Sequence, residues 1–284
     1  DENRLTDLNR ELVIVFDKNK TLKTRYICCD INNINLNSFL IKNKITHILN
    51  FSAIKHVRSE QEIISSSYLF TTNSMKFLDL KKNKNKFLKQ VFSISTDKVV
   101  EPSSFLGISK GIMEDRIFRF KENNKNIYVS SVRFANVSFS NGSILKYALE
   151  RIKEKKIFGV PQKISRFFIT HEEATSLCKK SILKKSDNLI VVPNLNFIDG
   201  SLNLVELVKK LLKLYKFKIT ANKNLHLKKD YYYVKQTPST IDGQKLYEKL
   251  YEKDEIIFFD KNKKYIYDNK KLTKSNKDLL LKNI

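Results

Sequence analysis

Tryptophan is absent from the 284 residues, and glycine, proline and cysteine are scarce, at six, four and three. Each scarcity excludes something. The glycines (Gly107, Gly111, Gly142, Gly159, Gly200 and Gly243) cannot form a G-x-G-x-x-G turn, the phosphate cradle with which a dinucleotide-binding sheet usually opens. The cysteines, Cys28, Cys29 and Cys178, are too few for a disulfide scaffold and lack metal-ligand spacing, so no metal site is expected. Reduced thiols point to a cytoplasmic setting. No apolar run approaches the ~18–20 residues of a membrane span, and no basic start is followed by an apolar signal-like stretch.

Positive charge, in contrast, is abundant: 54 basic against 30 acidic residues leave +24. Such a balance suggests nucleic acid, but the lysines are scattered over almost every expected surface and arginine is scarce beside them. The Lys, Asn and Ile richness of the whole chain reads as a compositional bias. Nucleic acid is therefore not an expected partner, whereas the bulk positive field favours an anionic small molecule.

Short apolar runs at Thr24–Cys29, His47–Phe51, Gln90–Ser95 and Tyr128–Phe134 alternate with helical patterns near Leu36–Ile41, Glu60–Leu80 and Phe105–Lys121. That alternation predicts βαβ units, hence an α/β, Rossmann-like doubly wound parallel sheet. Cys28 and Cys29 would then lie in a buried strand. After about Ser140 the texture changes to helices at Ser143–Lys155, Glu172–Leu183 and Leu202–Leu214, with a strand at Leu189–Val192 assigned to a later, smaller unit. The tail after Asp254 is lysine-rich, with short tyrosine and isoleucine strands and then Asp278–Leu281. The expected division is a cofactor-side sheet domain over 1–140 and a smaller α+β substrate-side region over 141–284.

Chemistry gathers where the Gln90–Ser95 strand ends. Between Ser95 and Lys110 stand two hydroxyls (Ser95, Thr96), an acid (Asp97) and two amines (Lys98, Lys110). Polar groups at the end of a buried strand are where an open α/β sheet builds its site. Four segments in order carry a family resemblance. Asn50–Glu60 is similar to an A-A-x-K-H-V strand end, and Ser95–Lys110 to S-T-D-K-x-x-x-P-x-x-x-(M/Y)-G-x-(S/T)-K. Arg133–Val137 with Ser140–Ser143 is similar to R-F-x-N-V…S-x-G-S, and Ser165–Thr170 to T-R-Y-F-(M/V)-T. Together they resemble the polysaccharide-biosynthesis branch of the extended short-chain dehydrogenase/reductases, the UDP-N-acetylglucosamine 4,6-dehydratase-like proteins. Tyr231–Glu255 resembles, more weakly, an extension of one subgroup.

The resemblance implies a nucleotide-sugar 4,6-dehydratase that uses NAD or NADP to oxidise C4 transiently. It also implies a homo-oligomer whose substrate is UDP-N-acetylglucosamine or a related nucleotide sugar. By matching position, Lys98 is the base at C5, Asp97 the acid at the C6 oxygen, Thr96 a partner near the C4 oxygen, and Lys110 the anchor of the nicotinamide ribose. Asp30, Ile31, Ala53, Lys55, Asn73, Ser95 and Phe134 match cofactor-side positions, and Asn136, Ser143 and Arg166 substrate-side ones. Leu106 occupies the place of the usual proton-accepting tyrosine, which disfavours an epimerase and fits a tyrosine-less branch. A non-catalytic nucleotide-sugar-binding relative is the alternative. Asp1–Leu5 matches the exit of the family's second strand, so an N-terminally truncated sheet lacking its first βα unit is expected.

Overall fold

The fold comes from a computed structural model describing residues 2–16, 24–56, 60–76, 78, 84–184, 189–194, 201–238, 248–252, 255, 257–259 and 265–269. Asp278–Leu281 lies outside these residues. Six strands build the main sheet: β1 (His47–Asn50), β2 (Gln90–Ile94), β3 (Tyr128–Val132), β4 (Leu189–Pro193), β5 (Ile257–Phe259) and β6 (Tyr265–Asn269). Their order is β1-β2-β3-β4-β6-β5, parallel from β1 through β4 and antiparallel over the last two pairings. Among the described residues seven α-helices accompany them: α1 (Glu2–Phe16), α2 (Leu36–Lys42), α3 (Ile63–Asn73), α4 (Phe105–Asn123), α5 (Ile144–Lys153), α6 (His171–Leu183) and α7 (Leu204–Leu214).

Side-chain alternation decides how these layers meet. Along β4, Ile190 and Val192 join Met113, Ile117, Phe118 and Phe120 of α4, while Leu189 and Val191 join Leu177, Cys178 and Ile182 of α6. The sheet is thus covered on both faces, which is why β4 is a continuous apolar run and β2 is buried along nearly its whole length. The result is the doubly wound, Rossmann-like α/β arrangement expected.

Two expectations fail. Thr24–Cys29 joins no ladder, and Ile27, Cys28 and Cys29 are exposed, because β-prone residues become a strand only beside a pairing neighbour. Leu189–Pro193 does not belong to a later unit. It pairs with β3 at the centre of the main sheet. The smaller core that does follow packs α5 and α7 around Phe158, Val160, Ile164, Tyr232 and Val234. Tyr231–Tyr233 forms a strand parallel to Lys218–Thr220. Within it, Tyr232 is fully buried and donates its hydroxyl to the Lys156 carbonyl at 2.6 Å, so the tyrosine run is packing.

One ion cluster crosses the sheet domain. Arg133, just after β3, is 1% exposed. It binds Glu114 of α4 through Nε and Nη2 at 2.8 and 2.7 Å, and Glu255 through Nη1 and Nη2 at 2.8 Å each. Its Nη1 also donates to the Leu250 carbonyl at 3.1 Å. Burial opposes the guanidinium charge, but the two carboxylates outweigh it and hold Arg133 firmly protonated. Arg133→Met would remove the guanidinium that Glu114 and Glu255 share. The expected loss is about 3–5 kcal/mol of stability in urea denaturation, whereas a loss under about 1 kcal/mol would show the cluster to be dispensable.

Candidate functional site

The turn after β2 carries the densest chemistry. Ser95 continues the strand, donating its N–H to the Val132 carbonyl at 2.7 Å, and among the described residues its buried Oγ has no hydrogen-bond partner. Thr96 caps the short Asp97–Val99 turn and donates its hydroxyl to Asp97 Oδ1 at 2.7 Å. Lys98 Nζ reaches the same oxygen at 3.2 Å. Asp97 is only 3% exposed, so its charge is balanced locally by one hydroxyl and one amine.

Helix α4 closes on this turn. Ser104 caps it through the Gly107 N–H, and Glu60 accepts from the Phe105 and Leu106 N–H groups at 2.9 and 2.8 Å, placing a carboxylate on the positive helix end. Gly107 is required here: a Cβ would stand 2.2 Å from the Lys98 carbonyl oxygen. One turn on, Lys110 is buried and donates Nζ to the Ile94 carbonyl at 3.1 Å. Burial pulls its pKa down to about 8, against the opposing charge of Glu114 four residues further along. Leu106, four residues before Lys110, is buried on the same helix.

The expected residues divide into groups. Thr96, Asp97, Lys98 and Lys110 converge on one strand end. Asn136 and Arg166 form a second group, joined by Glu248: Asn136 Nδ2 donates to Glu248 Oε1 at 2.6 Å, and Arg166 Nε lies 3.5 Å from that oxygen. Lys249, next to Glu248, ion-pairs with Glu101 just beyond the Asp97–Val99 turn, which brings the second group to the first; burial first and the Asp97 charge second raise the Glu248 pKa. Ser143 caps α5, accepting from the Lys146 N–H. Phe134 packs on the α6-side core, and Asn73 is fully buried with both amide atoms bound to the Ile54 backbone. That clamp fixes the β1 exit, where Ala53 is exposed and Lys55 donates to the Asn141 carbonyl. Burial, and then the charge of Arg4, lower the Lys55 pKa. Gly142 permits this approach, with φ of 71° and a position where a Cβ would meet the His56 ring at 2.8 Å. Asp30 caps its own turn at Ile31–Asn33, and among the described residues no hydrogen bond or ion pair ties Asp30 or Ile31 to the cluster.

Three carboxylates that contact the site residues escape the sequence. Glu114 could have been found from its i+4 spacing to Lys110 on a buried helix face. Glu60 and Glu248 are long-range partners, 45 and 112 residues from the groups they bind, and no local pattern marks them.

A family profile described as "Polysaccharide biosynthesis protein" matches residues 1–270. The chain belongs to this family. Among curated relatives, "Capsular polysaccharide biosynthesis protein CapD" of Staphylococcus aureus is 29% identical over 165 residues, covering 57% of this chain and 25% of that protein. A "UDP-glucose 4-epimerase" of Rickettsia bellii is 24% identical over 163 residues, covering 55% of this chain and 46% of that protein. The chain therefore spans less than half the length of these relatives. In fold it resembles a dTDP-glucose 4,6-dehydratase of Streptomyces venezuelae, solved with NAD and TYD bound. The TM-score is 0.62 at 16% identity, over 84% of this chain and 73% of that one. Among the described residues of this polysaccharide-biosynthesis family member, no helix is long and apolar enough to cross a membrane, and no His, Cys, Asp and Glu cluster could hold a metal ion.

The depressed Lys110 pKa has a signed consequence. The unfolded chain keeps that proton up to the ordinary 10.5 and the folded chain only to about 8, so between these values unfolding takes up a proton and stability rises with pH. Relative to Lys110→Met, the unmodified protein is expected to gain on the order of 2–3 kcal/mol between about pH 8 and pH 10 in urea denaturation. Equal pH slopes for the two proteins would contradict this.

Proposed function

We propose that this protein is a nucleotide-sugar 4,6-dehydratase-like enzyme, acting on UDP-N-acetylglucosamine or a similar nucleotide hexose in glycan synthesis. The observation that carries the reading is the Thr96–Asp97–Lys98 contact chain, set on a buried strand end with the Lys110 amine nearby and leucine at position 106. Membership of the polysaccharide-biosynthesis family supports the substrate class. On this reading residues 1–140 form the cofactor side and 141–284 the substrate side, with β4, β5 and β6 returning to the cofactor-side sheet.

The residues present fit the nicotinamide ribose of a dinucleotide, though no glycine turn for its pyrophosphate is among them. Ser95 offers a buried oxygen without a partner, and Lys110 a buried amine with one carbonyl ligand; both suit ribose hydroxyls. Such a group supplies a hydride acceptor for C4 and a hydride donor for C6. The chain's own residues move the protons. Lys98 takes the C5 proton made acidic by the C4 ketone, and Asp97 gives a proton to the C6 oxygen, which leaves as water. The 3.2 Å contact between them lets the proton from C5 become the proton on the departing oxygen, and the proton released by the C4 hydroxyl returns to C5 through Lys98 once C6 is reduced, so the pair ends the cycle as it began. Thr96 hydrogen-bonds toward the C4 oxygen. Leu106 cannot ionise, which leaves Lys110 or a water to carry the C4 hydroxyl proton.

The test is incubation with UDP-N-acetylglucosamine and either nicotinamide dinucleotide, followed by mass spectrometry. A 4-keto-6-deoxy product lighter by one water is expected, and Asp97→Asn should lower its rate by about 10²-fold or more. An isomeric product of unchanged mass would place the chain with epimerases instead. No turnover at all, with Asp97→Asn indistinguishable, would leave the enzymatic reading without support.

A further inference from the structure

Glu248 is a buried carboxylate that no step above uses. Its segment is anchored by Leu250, which is 1% exposed in the α4-side core and whose carbonyl accepts from Arg133. Neighbouring Lys249 is ion-paired with Glu101, just beyond the Asp97–Val99 turn. The Glu248 side chain is 3% exposed. Its Oε1 accepts from Asn136 Nδ2 at 2.6 Å and faces Arg166 Nε at 3.5 Å, and its Oε2 accepts from the Phe167 N–H at 2.7 Å. Asn136 Nδ2 also donates to the Phe167 carbonyl, and Arg166 Nη1 to the Ser165 carbonyl. One acid thus gathers an amide, a guanidinium and a backbone N–H from two short ladders, Asn136–Val137 with Phe168–Ile169 and Ser165–Arg166 with Leu202–Asn203.

A carboxylate enclosed in this way acts through its partners. A guanidinium gripped at Nε and Nη1 cannot swivel, so its orientation is set before any ligand arrives. We infer that Glu248 is the positioning residue that sets Arg166 and Asn136 as one polar wall beside Asp97, and thereby holds the diphosphate and sugar of a nucleotide sugar in register with the Asp97–Lys98 pair. The inference rests on the nucleotide-sugar reading. Its direction separates it from a plain charge effect: a carboxylate beside Arg166 weakens that cation's pull on phosphate, so removing the charge alone would tighten binding. Removing a positioning group loosens it.

The charge environment of Glu248 adds a second signature. Burial and Asp97 raise its pKa above the ordinary 4.5, while the Phe167 N–H, Arg166 and Asn136 hold it down. The charged groups that bear on it are therefore Asp97, with its partner Lys98, and Arg166. Once protonated, Glu248 presents an O–H where it now accepts, and the wall loses a contact. The diphosphate of UDP-N-acetylglucosamine stays fully ionised in this range, so the pH dependence reports the protein.

The experiment is titration calorimetry with UDP-N-acetylglucosamine on the unmodified protein, Glu248→Gln and Lys249→Ala. Glu248→Gln keeps the shape but turns an amide toward one of two donors, and affinity is expected to fall about tenfold. Lys249→Ala, which removes only the exposed pair with Glu101, should leave affinity unchanged. As the pH falls from neutrality toward 4.5, the unmodified protein should lose affinity while Glu248→Gln does not share that limb. Unchanged or tighter binding by Glu248→Gln overturns the positioning role. Should circular dichroism show that variant to be unfolded, a flat pH profile of the unmodified protein overturns it instead. If the unmodified protein binds no nucleotide sugar, the functional reading and this role fall together; loss of the Glu248→Gln effect alone leaves that reading standing.

Discussion

A line of buried charges of alternating sign underlies both the fold and the site. Lys110 feels Glu114, Glu114 grips Arg133, and Arg133 grips Glu255. Each member sits where water cannot screen it, so each is tolerable only while its neighbour is in place. Such a cluster need not add stability over an apolar core of equal volume. What it does is fix geometry, tying α4, the end of β3 and the segment around Leu250 into one arrangement. Because Lys110 stands at one end and the segment carrying Glu248 at the other, the charges that hold the fold also place both sides of the site.

The site itself follows from desolvation. A parallel sheet covered on both faces ends its strands in a dry crevice, where one hydroxyl or amine changes a carboxylate's energy far more than it would in water. Asp97 is enclosed with Thr96 and Lys98 as partners, Lys110 has its pKa drawn down to about 8 by burial, and Glu248 is pushed up by burial and by Asp97. Burial thus displaces the Lys110 amine downward and the Glu248 carboxyl upward, each toward its neutral form. Backbone geometry serves the same end. Gly107 lets α4 close on the Lys98 turn, Glu60 seals the helix end, and Asn73 clamps Ile54 so that the β1 exit keeps its shape.

Much of this was legible before any coordinates. The apolar runs at His47–Asn50, Gln90–Ile94 and Tyr128–Val132, and helices α2, α4, α5, α6 and α7, fall close to where periodicity puts them, because a buried strand or amphipathic helix writes its environment into its own sequence; α3 is shorter than the Glu60–Leu80 pattern, and α1 (Glu2–Phe16) is not among the helices periodicity suggests. The polar cluster after β2 is equally visible, since Ser95 through Lys110 are neighbours along the chain. Thr24–Cys29 departs from its strand-like pattern for a physical reason: strand propensity expresses a fit to a pleated surface, and among the described residues no neighbouring strand supplies one.

The sequence by itself determined the α/β class, the strand end that bears the chemistry and the local caps, because these rest on contacts within a few residues. Only the tertiary structure decided that β4 joins the centre of the sheet, that Asn73 serves the Ile54 backbone, and that Arg166 and Asn136 answer to Glu248. Those outcomes depend on groups 19 to 112 residues apart meeting in a low-dielectric interior. There the need to pair every buried charge and amide overrides local preference, and a one-dimensional pattern carries no record of which partner does so.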